Sequence, residues 1–198
     1  VEAVRLEGPT VALVPLTLEH RTALTTMLLD PVIWQFTLHR LETPDEVSRY
    51  VAAAVDDAAA GRALAFVIVL KETGEIVGST RYHSVEPAHR RLEIGHTWIM
   101  RRWQRTQVNT EAKFLLLRHA FEDLQFRRIQ FRSGSNNEPS QRAILRLGAH
   151  EEGTLRGYEG PDPITGRDVV VFSILAPEWP GVKQRLEALM TRRPLPHP

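Results

Sequence analysis

The sequence contains no cysteine among its 198 residues. That excludes disulfides, thiolate metal sites and a cysteine nucleophile. It has no apolar run near the roughly 20 residues that a membrane-spanning helix requires. The N-terminus lacks a basic patch followed by a long apolar core, so no signal peptide is expected and the expected compartment is the cytoplasm. Charge of one sign is also missing, with 25 basic side chains against 24 acidic ones. The balance argues against nucleic acid or a membrane surface as the main partner. Neither GxGxxG nor GxxxxGK[ST] occurs, and there is no GxSxG elbow. The eight histidines show no metal-ligand spacing, so no metal is expected.

A hydrophobic fraction of 42% and a charged fraction of 25% are ordinary for a globular chain. At this length one domain over 1–198 is expected, with a core over about 8–176 and no repeat or linker. Alternation predicts a strand over 10–16. Thr17 then caps a helix to about residue 29, with His20 at the fourth capping-box position, and Asp30-Pro31 ends it. The segment 32–41 is aromatic and irregular, and Trp34, Phe36 and His39 are candidates for a pocket wall or for core packing. Thr43-Pro44-Asp45-Glu46 starts a second helix, which stops at Gly61. Strands over 64–70, 76–85 and 91–100 form a meander. A helix from Thr110 to about 126, a strand over 128–132 and a helix over 138–147 closed by Gly148 follow. A hairpin of 149–158 with 167–175, a helix over 177–191 and a frayed tail over 192–198 complete the chain. This order predicts an α/β fold: a mixed sheet, mostly antiparallel with one parallel crossover, flanked by helices.

Residues 93–126 organise the rest. A strand ending at Met100 feeds a short basic segment and then an amphipathic helix, whose apolar stripe is Phe114, Leu117, Phe121 and Leu124. Free backbone N–H groups at a helix N-terminus bind phosphate or pyrophosphate. On the residues alone, an ordinary strand–loop–helix unit with solvated arginines is the favoured explanation of the stretch.

Two segments together resemble a known family. Gln104-Arg-Thr-Gln-Val-Asn109 followed by Thr110-Glu-Ala112 resembles the acetyl-CoA loop of the GCN5-related N-acetyltransferases (GNAT). Asn137-Glu-Pro-Ser140, in a helix ending at Gly148, resembles their second cofactor element. The segments 91–98, 152–156 and 170–175 extend the likeness to the RimJ/RimL-type branch. One departure stands out: Gln107 and Asn109 occupy positions where the family carries small residues. Glycine there permits positive φ and close approach to a pyrophosphate; Asn tolerates that backbone, whereas a Gln side chain would compete for the phosphate site.

The resemblance implies a GNAT fold with a splayed parallel strand pair, acetyl-CoA as cosubstrate, and a primary amine as acceptor, either a peptide N-terminus or a small molecule. It implies a carbonyl-binding backbone N–H among Trp98, Ile99 and Met100. Pyrophosphate contacts would come from Gln104, Arg105, Thr106, Gln107, Val108, Asn109 and Thr110, with Arg101 and Arg102 adding charge. Asn137 would hold the pantetheine arm, and Ser140 would bind cofactor and protonate the departing thiolate. Capping is the plain alternative for both. Glu93 is the candidate base, set against a simple ion pair with Arg81 or Arg91; His83 and His96 compete for the same role. Tyr158 is an alternative acid. Trp34, Phe36, His83 and Asp162 are candidates for the acceptor wall. A non-catalytic GNAT-fold binding protein with a weakened CoA site is the competing reading, and an RNA module using Arg127 and Arg128 is a distant third. Monomer and homodimer both remain open.

Overall fold

The computed structural model describes residues 2–38, 40–160 and 166–192. His39, Asp162 and the tail from 193 onward therefore lie outside the described residues. The elements are β1 (Leu6–Glu7), β2 (Val11–Pro15), α1 (Arg21–Leu28), α2 (Pro44–Ala59), β3 (Leu64–Leu70), β4 (Ile76–Glu86) and β5 (Arg91–Ile99). They continue with α3 (Gln107–Arg118), β6 (Arg128–Gly134), α4 (Glu138–Leu147), β7 (His150–Glu159), β8 (Arg167–Leu175) and α5 (Trp179–Arg192). One sheet runs in the order β1-β2-β3-β4-β5-β6-β8-β7. Every neighbouring pair is antiparallel except β5 and β6, which are parallel and joined by the α3 crossover. The mixed α/β sheet expected from the pattern is the one found.

Local chemistry explains most of the element boundaries. Thr43 and Glu46 exchange capping-box hydrogen bonds at 3.2 and 3.1 Å, with Pro44 in the first turn. Thr17 and His20 make the same exchange before α1, where the His20 Nδ1 accepts from the Thr17 N–H at 3.0 Å. Gly148 ends α4 at φ +107, a left-handed position that suits glycine.

The central strands β3 and β4 are buried on both faces, as the near-continuous apolar run of β3 demands, while the edge strand β7 is largely exposed. On one face α1 and α2 pack Leu24, Leu28, Val47 and Val51 against Ala65 and Val67. On the other, α3 and α5 bring Leu115, Leu116 and Trp179 onto Phe66, Tyr82, Phe131 and Phe172. Each such side chain contributes on the order of 1.5–3 kcal/mol by leaving water, so the core is ample for holding a strained site.

Three boundaries depart from the sequence reading. The short β1 strand pairs with β2 through Leu6–Leu13 and was not expected. α3 begins at Gln107, not Thr110, because the Thr106 hydroxyl caps it by accepting from the Val108 N–H at 3.2 Å. The same helix gives way to a π-turn over His119–Asp123, so the apolar stripe continues to Phe121 on altered geometry.

Candidate active site

The site begins where the sheet comes apart. β5 pairs with β6 only through Arg91–Arg128, Leu92–Ile129 and Glu93–Gln130. Beyond Glu93, β6 stays bonded to β8 while β5 stays bonded to β4. The facing edges of the two parallel strands are then left without a partner strand. The β4–β5 ladder also shifts register between Ser79 and Arg81, and within that irregularity His96 takes φ +45. A bulge of this kind bends a strand and re-aims its groups.

Ladder geometry identifies which β5 amides face the opening. The Met100 N–H donates to the Val77 carbonyl at 2.9 Å, in register with Trp98 opposite Ser79. In an antiparallel ladder, bonded and non-bonded pairs alternate. Trp98 and Met100 therefore spend their backbone groups on β4, and Ile99, opposite Gly78, turns its N–H and C=O to the open edge. Its carbonyl accepts from the Gln104 side-chain amide at 3.0 Å. Of the three candidates for a carbonyl-binding N–H, only Ile99 retains one on that side.

The loop closes onto α3 beside this edge. The residue in the left-handed region is Arg105, at φ +63; neither Gln107 nor Asn109 has positive φ. Both lie in the first helical turn, where non-glycine residues are unstrained. The Gln107 amide donates to Thr10 Oγ1 at 3.0 Å, on the flank where Glu111, one turn later, accepts from the Thr10 and Val11 N–H groups at 2.8 and 2.9 Å. The anticipated conflict with a pyrophosphate is thus turned toward β2. First-turn N–H groups lack intrahelical partners by geometry. Asn109 Oδ1 is buried with no hydrogen-bond partner among the described residues. Arg102 pairs with Glu75, while Arg101 and Arg105 make no ion pair with any described residue.

The second motif sits across the opening. Asn137 caps α4, its Oδ1 accepting from the Ser140 N–H at 3.1 Å; the capping alternative holds for Asn137. The Ser140 hydroxyl is half-buried and bonds to no described group. Farther along α4, the Arg146 guanidinium donates to Thr110 Oγ1 at 3.1 Å, so the two motif helices meet.

On the face toward α2, β4, β5 and β6 gather the titratable groups. Glu93 is 4% exposed, and its carboxylate accepts from Arg132 Nε at 2.8 Å and from the Gln130 amide at 3.3 Å. His83 Nε2 lies 3.4 Å away. The expected arginine partner was Arg81 or Arg91; it is Arg132, because the parallel β6 strand lies alongside Glu93 while Arg91 is taken by Glu86 at 2.7 Å. Sequence distance hid a pairing that only the crossover creates. Burial pushes the Glu93 carboxyl up from its ordinary value, and Arg132 pulls it back. Burial, reinforced by Arg132 and Arg81, holds the His83 imidazole at about 4. Burial and then Arg81 take His96 to about 3. Both imidazoles are therefore neutral near pH 7 and weaker bases than an ordinary histidine. Tyr158 reaches in from β7, its hydroxyl accepting from Arg132 at 2.9 Å. A cavity of about 240 Å³ lies among Glu93, Gln130, Arg132 and Tyr158.

The expected aromatic wall divides. Trp34 is core: its ring lies 4.4 Å from that of Trp98, and its indole donates to the Leu28 carbonyl at 2.6 Å. Trp98 in turn donates to the Tyr50 hydroxyl at 3.0 Å. Phe36 is half-buried, and its carbonyl accepts from Arg167 at the base of β8. Neither lines this cavity or a second one beside Arg81 and His96, whereas His83 lines the second. The residue that sequence reading missed is Lys113, 6% exposed in α3, with Nζ on Thr97 Oγ1 at 2.5 Å and Thr80 Oγ1 at 3.1 Å. A lysine at an apolar-stripe position was the available signal.

The geometry has counterparts. Residues 10–150 match the model of the acetyltransferase (GNAT) domain. The N-acetyltransferase p20 of Bacillus licheniformis is 32% identical over 123 residues, covering 61% of this chain and 67% of that protein. A GCN5-related N-acetyltransferase from Brucella melitensis superposes with TM-score 0.87 at 27% identity, over 96% of this chain and 86% of the other. Mycobacterium smegmatis RimJ, in complex with CoA-disulfide, superposes with TM-score 0.78 at 25% identity over 94% and 93%. A splayed strand pair, a helix N-terminus beside it and a family match spanning both motifs agree: the chain belongs to the GNAT family of acetyltransferases.

Proposed function

We propose that the protein transfers the acetyl group of acetyl-CoA to a primary amine, on a peptide N-terminus or a small molecule, by direct attack. The observation that carries this is the open β5 edge at Ile99, beside the first turn of α3. When bound, acetyl-CoA supplies an activated thioester; the chain positions it and moves protons. The Ile99 N–H is the donor for the acetyl carbonyl, where a fixed dipole counts most as negative charge develops. Gln104, Arg105, Thr106, Gln107, Val108, Asn109 and Thr110 form the turn that receives the diphosphate, with Arg101 and Arg105 available for its charge.

An alkylammonium titrates near ~10, so the acceptor must lose a proton before it attacks. Glu93 takes it, since burial raises its basicity above an ordinary carboxylate. The N–C bond then forms and the C–S bond breaks; the Ser140 hydroxyl, unengaged on the cofactor motif, passes its proton to the departing thiolate, and the second proton lost from the nitrogen replaces it through solvent. Asn137 orients Ser140 by capping its helix. Tyr158 and His83 line the acceptor side.

A non-catalytic binding protein was suggested by Gln107 and Asn109. The tie from Gln107 to Thr10 and the helical backbone at both residues weigh against it. Thiol release from acetyl-CoA with a panel of amines and N-terminal peptides tests the reading. Release with at least one acceptor supports it; CoA binding with no release from any acceptor contradicts it.

A further inference from the structure

Arg81 is the side chain that the scheme above leaves without work. It lies on β4 with 9% of its surface exposed. It forms no hydrogen bond or ion pair with any described residue. Its guanidinium carbon sits 5.1 Å from the Tyr50 ring centroid. That contact offsets only part of the cost of withdrawing a permanent cation from water. The other interior arginine at the site, Arg132, is neutralised by Glu93.

Arg81 and His83 alternate on one face of β4, and a cavity of about 470 Å³ opens against both, with His96, Asp57, Arg62 and Glu86 at its walls. Its two carboxylates are already engaged. Asp57 pairs with Arg62 at 2.8 Å, and Glu86 pairs with Arg91 at 2.7 Å. The inner wall therefore carries a guanidinium with no counter-charge among the described residues. A guanidinium that faces an open cavity without a protein counter-ion is placed to receive an anion from outside.

We infer that Arg81 receives an anionic oxygen group, a carboxylate or a phosphate, carried by the acceptor close to its reacting amine. This rests on the acetyl-transfer reading, because it is the amine's need to reach Glu93 that puts the acceptor here. Arg81 and His83 are two residues apart, a Cα separation of about 7 Å. His83 in turn lies 3.4 Å from Glu93. That span fits a compact amino acid, a phosphorylated small amine or an N-terminal residue with an acidic side chain. A planar fork suits either oxyanion, and lysine, a point charge without that fork, replaces it only in part.

The test compares kcat/KM for matched acceptors: alanine and alaninamide, phosphoethanolamine and ethanolamine, and the dipeptides Asp-Ala and Asn-Ala. In the wild-type protein at least one acidic member exceeds its neutral mate by on the order of 10- to 100-fold, and the pair that does so identifies the source of the anion. Arg81→Gln brings that ratio close to one while the KM for acetyl-CoA holds, and Arg81→Lys restores part of it. Equal use of both members by the wild-type protein overturns the inference, as does a preference that survives in Arg81→Gln. Should Arg81→Gln not fold, the wild-type ratio and Arg81→Lys decide. If no amine releases thiol, the acetyl-transfer reading has failed, and calorimetry with the three acidic probes judges Arg81 alone. Binding to wild type that is lost in the variant supports the inference, and no binding by wild type overturns it.

Discussion

Replacing Lys113 by methionine should make the protein more stable at neutral pH, by an amount that depends on pH in a defined way. Lys113 projects from α3 into the sheet between β4 and β5, where two threonine hydroxyls are its hydrogen-bond partners. Burial takes its ammonium from 10.5 to about 7. A lysine whose folded value is depressed binds fewer protons folded than unfolded between those two values. Its penalty is therefore complete below pH 7, shrinks as pH rises, and is gone above 10.5. At 1.36 kcal/mol per unit, the penalty is about 4 kcal/mol at pH 7 and about 2 kcal/mol at pH 9. Methionine removes it but gives up hydrogen bonds to Thr80 and Thr97. Those hydroxyls already lie 2.9 Å apart and satisfy each other, so that loss is about 1 kcal/mol. The Met variant should then gain about 3 kcal/mol at pH 7, with the gain vanishing near pH ~10. Urea unfolding of both proteins between pH 6 and 10 measures the difference. A difference that stays flat across that range, or a Met variant less stable at every pH, would refute the buried-cation account.

Other perturbations test the site and its supports. Glu93→Gln should lower kcat/KM by on the order of 10²–10⁴-fold. In the wild-type protein the acid limb of the pH–rate profile should lie above the ordinary carboxylate value of 4.5, since only the ionised base works and activity falls as it protonates. A variant within tenfold of wild type removes Glu93 from the chemistry. Ser140→Ala should reduce kcat while leaving the KM for acetyl-CoA nearly unchanged; an equal rise in KM would assign Ser140 to binding instead. A methyl at Gly8 would sit 2.2 Å from Glu111 Oε1, displacing the carboxylate that holds the Thr10 and Val11 amides. Gly8→Ala should cost about 2 kcal/mol, read as a lower urea midpoint, and an unchanged midpoint would mean that the β1–β2 turn yields freely.

The sequence made the frame legible because its boundaries carry local chemistry. The capping boxes at Thr17 and Thr43 and the left-handed stop at Gly148 are each settled by neighbours three or four residues away. The start of α3 was misjudged since Glu111, an acid suited to a first turn, drew attention from the better cap at Thr106. In the structure Glu111 serves β2 instead. The site was legible as a list but not as a set of partners. Glu93 meets Arg132 only because the crossover brings β6 alongside β5. Ile99 separates from Trp98 and Met100 only through the parity of the ladder with β4. Trp34, an aromatic in an irregular segment, read as either pocket wall or core; its place in the core depends on Trp98, from a strand far along the chain. No local pattern encodes such pairings: Arg81, read as a partner for Glu93, faces the Tyr50 ring instead.

The central claim is that the parting of β5 from β6 lodges the arm of the cosubstrate. A crystal structure of the protein with CoA tests it most directly. The account requires the sulfur in that opening near the Ile99 amide, with the diphosphate on the first turn of α3 and the Gln107 side chain still on Thr10. Side chains sealing the opening, with CoA bound elsewhere or absent, would contradict it.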